Sequence, residues 1–89
     1  MNKRENPKAG EVWGHFKQND YKIIACPVFH TENGGTLVCY KALYGARDVY
    51  ARPFDMFMSE VDHRKYPDAK QKWRFEKVSD SDVANESAD

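Results

Sequence analysis

With 89 residues the chain has room for one domain. Its 14 basic and 14 acidic residues cancel, which excludes a domain-wide electrostatic footprint for nucleic acid and leaves room only for a local patch. Aromatic residues, at 13%, are frequent enough for a small core to gain burial from few side chains, so folding needs no metal or disulfide staple.

The charge is unevenly spread. Met1 to Lys8 carries three bases and one acid, and Ser79 to Asp89 carries four acids and no base. These polar ends lack periodicity, so the expected organisation is a flexible arm over 1–8, a folded domain over 9–78 and a disordered acidic tail over 79–89. Cys26 and Cys39 sit among apolar residues without CxxC or CxxH spacing. Reduced thiols in a cytoplasmic protein are the expectation, with a disulfide between them as the alternative. No segment approaches a membrane span, and no apolar stretch follows the first residues.

In chain order, short apolar runs broken by turn residues read as strands. Glu11–Phe16 is the first strand and Lys17–Asp20 a turn. Tyr21–His30 is a second strand, with a bulge or edge marked by Pro27, which cannot donate to a ladder. Glu32-Asn33-Gly34-Gly35 is hairpin chemistry, and Thr36–Tyr44 returns as the partner. With Asn33 and Gly34 as central turn residues, Phe29 falls opposite Val38, Val28 opposite Cys39 and Ala25 opposite Ala42. Both hairpin faces then carry apolar residues, so both need cover, from this chain or from a second copy in a homodimer. Gly45–Asp48 is a turn, Val49–Arg52 a strand stopped by Pro53, and Phe54–Met58 a single helical turn. Ser59–Asp62 is extended, 63–72 is a loop, and the alternating Trp73–Val78 is the closing strand. The order predicts a mainly β fold, a small SH3-like barrel of five to six strands with a one-turn helix before the late strands.

The residues His15-Phe16-Lys17, Tyr21, His30-Thr31-Glu32, Val38-Cys39-Tyr40, Ala42-Leu43-Tyr44-Gly45, Arg52-Pro53, Met56-Phe57 and Arg74-Phe75-Glu76 follow in a characteristic order. Together they resemble the bacterial and phage family catalogued as domain of unknown function sixteen-fifty-three, over nearly everything from Gly10 to Val78. The resemblance implies an SH3-type barrel and no established activity. The chain departs from the family pattern at Gln18, where a glycine often stands, and at Tyr50, where a tryptophan is usual.

His15, His30, Tyr40, Tyr44 and Arg52 are the polar residues most concentrated in these motifs. They predict a groove for a small anionic or nucleotide-like ligand, because the planar fork of arginine grips carboxylate or phosphate bidentately while Tyr and His supply hydrogen bonds and stacking. The competing reading is structural, with Arg52 on carbonyls or on Asp48 and Asp55. An acid–base site with His30 as base and Glu32 as its orienter lacks a nucleophile and a phosphate loop, so a non-catalytic domain is expected, with no catalytic residue, cofactor or metal. His15, His30 and His63 stand in separate segments without ligand spacing. A second candidate is nucleic-acid binding through Arg64, Lys65, Lys70, Lys72 and Arg74, interleaved with Tyr66, Trp73 and Phe75. A protein-interaction module is a third. The partner is thus an unidentified small ligand or macromolecule, with nucleic acid as one option and no membrane.

Overall fold

A computed structural model describes residues 4–80. Five antiparallel strands form one sheet: β1 (Val12–His15), β2 (Asn19–Phe29), β3 (Thr36–Ala42), β4 (Val49–Pro53) and β5 (Phe75–Ser79). A single helical turn, α1 (Phe54–Phe57), separates β4 from β5. The sheet order is β4-β3-β2-β1-β5. Four strands therefore meander, and the chain returns after α1 to lay β5 beside β1. The mainly β expectation and the one-turn helix agree with this. The sheet is open, with β4 and β5 as its edges and no β4–β5 ladder among the described residues.

Local chemistry sets the connections. Phe16 to Gln18 form a three-residue turn between β1 and β2, closed by the Gln18 N–H on the His15 carbonyl at 2.7 Å, with Gln18 at φ 76°. This is a tight turn followed by a left-handed residue, the geometry that joins two strands across three residues. The hairpin between β2 and β3 corrects the expected register. Phe29 pairs with Thr36, Val28 with Leu37 and Ala25 with Cys39, not with Val38, Cys39 and Ala42. The reason lies at the tip: only Gly34 takes the left-handed conformation there, at φ 71°. The connection is closed by the His30 N–H on the Gly35 carbonyl, leaving the four residues 31–34 between that pair, and the Gly34 N–H donates to the His30 carbonyl. Two further register shifts occur, one between Ile23 and Ala25 and one between Ala25 and Val28; the second spans Pro27, where an irregularity was expected.

The core forms where the sheet's inner face meets α1. Ile23, Val38, Phe57 and Phe75 are fully buried, with Trp13, Tyr40 and Ala42 around them. Phe57 stacks on Phe75 at 4.0 Å with planes 8° apart, and its ring also meets Tyr40 at 5.4 Å and Trp13 at 5.7 Å. A four-residue helix has no independent stability; burial of its terminal phenylalanine, worth roughly 1.5–3 kcal/mol, holds it in place. Central β1 is buried from Val12 to Gly14. A side chain at Gly14 would come within 3.2 Å of both Asp20 and Val78, so glycine permits the close approach of β2 and β5.

The polar segment 4–8 lies against this framework. Arg4 donates to the carbonyls of Met58 and Phe75, its guanidinium stands 4.3 Å from the Trp73 ring, and Pro7 is fully buried. Glu11, also buried, accepts from the Trp13 indole at 2.9 Å and from the Lys8 amide at 3.0 Å, and pairs with Lys77 at 3.1 Å. Ser79 ends β5. Of the expected acidic tail, 81–89 lies outside the described residues.

Candidate functional site

Three parts of the chain converge on a cleft of about 450 Å³: the β1–β2 turn, the outer end of β4 with the segment after β3, and the loop before β5. Register explains how Arg52 gets there. It pairs with Val38, and Tyr50 with Tyr40; paired residues share a sheet face, so Arg52 stands on the core-facing side of an edge strand. Its guanidinium lies 5.8 Å from the Phe75 ring, and its Nε donates to the Tyr40 hydroxyl at 3.1 Å. The apolar stem is thus held on the core while the charged head reaches the cleft. Among the described residues no carboxylate pairs with this guanidinium, and its terminal nitrogens have no hydrogen-bond partner.

His15 stands opposite. Its ring packs edge-on against Phe75 at 4.8 Å and beside Phe16 at 4.5 Å. Nδ1 accepts from the Lys17 amide at 3.1 Å, which leaves the proton of the neutral ring on Nε2. Burial, and then the positive charges of Arg52, Lys17 and Arg74, hold its pKa down at about 4. The imidazole is therefore a neutral donor at physiological pH.

The remaining walls are cationic and phenolic. Lys17, Lys65 and Arg74 line the cleft with Arg52, and Asp62 is the one carboxylate in the lining. Asp62 is already engaged, its Oδ1 accepting from the backbone amides of Arg64 and Lys65. Tyr21 and Tyr44 share a hydrogen bond of 2.6 Å. Burial and this neighbour push the Tyr21 hydroxyl up, so it stays protonated. Such a cleft presents donors and positive charge around a recess, an arrangement suited to an oxyanion.

Of the residues singled out from sequence, His15, Tyr44 and Arg52 come together here, and Tyr40 joins them through its hydrogen bond to Arg52. His30 does not. Its Nδ1 accepts from the Glu32 amide at 3.1 Å in the hairpin turn, and it is absent from the cleft lining. The basic set divides. Lys65 and Arg74 face the cleft, whereas Arg64, Lys70 and Lys72 do not line it; the Lys72 ammonium instead lies 5.0 Å from the Trp73 ring. Sequence reasoning missed Lys17, Asn19, Tyr21 and Asp62. The contiguous His15-Phe16-Lys17 motif was the signal for Lys17.

A recess of about 480 Å³ beside Cys26, cis Pro27 and Phe54 has no cation in its wall and none of the candidate binding residues read from sequence. Cys26 and Cys39 are free thiols, and burial, then proximity to Cys39, pushes the Cys26 thiol up. No group of three or more His, Cys, Asp or Glu able to hold a metal occurs among the described residues, and no helix there is long and apolar enough to cross a membrane.

Residues 11–77 match the family described as protein of unknown function (DUF1653), and the chain belongs to that family. The likeness read from the ordered motifs between Gly10 and Val78 is therefore membership. No curated protein and no solved structure matches the chain.

Proposed function

We propose, for this member of a family of unknown function, a non-catalytic binding domain that takes a small anionic or nucleotide-like ligand in the cleft between Arg52 and His15. One observation carries the reading: the Arg52 guanidinium is fixed by Tyr40 and Phe75 yet has no anionic partner among the described residues, while Arg74, Lys17 and Lys65 surround the same recess. Unpaired cations held close together repel one another, and an anion relieves that repulsion. Arg52 would grip the ligand bidentately, with the Nε2–H of His15 and the Tyr44 hydroxyl as further hydrogen-bond groups. Of the residues singled out from sequence, His30 has no part in this reading.

The same arrangement supports an SH3-like barrel. The strand order β4-β3-β2-β1-β5 with a helical turn before the last strand is the order that barrel uses, and Arg52 of edge strand β4 lies over Phe75 of edge strand β5. Free thiols at Cys26 and Cys39 support a reducing, cytoplasmic setting for the domain.

The test is chemical-shift titration with inorganic phosphate and nucleoside monophosphates. Shifts should concentrate at His15, Lys17, Tyr44 and Arg52, and Arg52→Ala should weaken binding at least tenfold. Unchanged affinity in that variant, or shifts confined to the Cys26–Phe54 recess, removes the reading.

A further inference from the structure

Beyond the Phe16–Tyr66 pair lies another concavity, of about 310 Å³, lined by Lys17, Lys65, Pro67, Asp68 and Ala69 as well as by that pair. It shares Phe16, Lys17, Lys65 and Tyr66 with the cleft. The two recesses are thus neighbours across one wall. That wall is two rings in edge contact at 4.9 Å, with the Lys17 and Lys65 ammonium groups 5.3 and 5.7 Å from the Tyr66 ring. The same two lysines therefore serve both recesses, beside an aromatic surface. Tyr44, also in the cleft lining, is 42% exposed, its hydroxyl anchored to Tyr21.

Resting on the reading above, we propose that the cleft and this neighbouring concavity form one groove for single-stranded nucleic acid, with phosphates at Arg52, Arg74, Lys17 and Lys65 and bases stacked on Tyr66 and Tyr44. Rings and cations side by side in one recess suit the bases and phosphates of a single strand. Stacking tolerates any base, because every base has a π face. A duplex fits poorly. Its grooves are read by a projecting helix or strand ribbon, whereas this site is concave and the one helix among the described residues has four residues. An acidic peptide would satisfy the cations but leave the rings unused. The neutral overall charge agrees with a short local site: a few phosphates are held here, and the remaining surface does not drive binding.

The experiment measures affinity by fluorescence anisotropy and competition, using thymidine monophosphate and thymidine oligonucleotides of two, four and eight residues. A tetraglutamate peptide is the comparison. Affinity should rise at least tenfold from the mononucleotide to the tetramer and level off beyond it. Its logarithm should fall against log salt with a slope of roughly −1.4 to −2.8, the value for two to four single-strand phosphates. Tyr66→Ala should weaken tetramer binding by about 5- to 100-fold, and Tyr66→Trp should retain it. The double variant Lys17→Ala/Lys65→Ala should flatten the salt slope. A tetramer that binds no tighter than the mononucleotide overturns the groove and leaves the small-ligand reading intact. Equal competition by tetraglutamate overturns base stacking and with it the proposal. Absence of binding by oligonucleotide, mononucleotide and inorganic phosphate alike removes both readings.

Discussion

Protonation of His15 offers the most direct probe of the cleft. Its ring is half-buried, and the charges facing it come from every neighbouring element: Arg52 on β4, Arg74 before β5, Lys17 in the β1–β2 turn, and Lys65 with Asp62 in the loop. Only Asp62 favours a proton. The pKa falls from an ordinary 6.5 to about 4. Between those values the unfolded chain binds more protons than the folded one, so stability increases with pH across this window and is lost as pH falls from 6.5 towards 4. The full gap corresponds to about 3 kcal/mol, and solvent screening of a half-exposed ring reduces this to about 1–2 kcal/mol. Urea melts of the native protein and His15→Gln at pH 7.5 and 4.5 measure it. The native protein should lose about 1–2 kcal/mol more than the variant between these pH values, since every other titrating group is common to both. NMR titration of the ring should place its midpoint well below 6, and saturating phosphate should raise it by cancelling the cationic field. A midpoint at 6.5, unmoved by phosphate, would refute both the electrostatics and the anion site.

Three further outcomes follow from the fold. Gln18 holds φ at 76°, and Gln18→Gly should stabilise by about 0.5–1 kcal/mol; a lower melting temperature would show that its side chain matters more than its backbone. For Glu11, burial alone would raise the pKa, but hydrogen bonds from Trp13 and Lys8 and the charge of Lys77 hold it below the ordinary value. Its contribution is present above pH 4.5 and is lost as pH falls through the lowered pKa; Glu11→Ala should cost about 2–4 kcal/mol by orphaning the Trp13 and Lys8 donors, and Glu11→Gln should lose that acid dependence in melts between pH 5 and 2.5. Phe57→Ala should cost about 3–5 kcal/mol by opening a cavity beneath Phe75, and with it about 12 °C or more of melting temperature. A drop below 5 °C would mean that α1 is not the core's anchor, and Phe57→Leu should fall between.

The strands were legible because their cues are local. Val and aromatic runs bounded by Asn, Gly, Asp and Pro identify β1 to β5 within a few residues, and Pro53 followed by Phe54–Phe57 identifies the helical turn. Register was not legible. It depends on which turn residue turns left-handed, and Gly34 alone does so; it also depends on two shifts between Ile23 and Val28 that no alternation pattern encodes. The candidate site divides along the same line. The chain's chemistry picked out Arg52, His15, Tyr40 and Tyr44, and separately Lys65 and Arg74, because residue type and motif order are properties of the sequence. That these two sets share one cleft, and that His30 lies outside it, was decided by the tertiary structure. Returning β5 beside β1 carries Arg74 and the preceding loop across to the β1–β2 turn, while the long β2–β3 hairpin carries His30 to its own tip. Residues distant in sequence meet only when the strand order is fixed, and that order is the one that brings Phe57 and Phe75 together in the core.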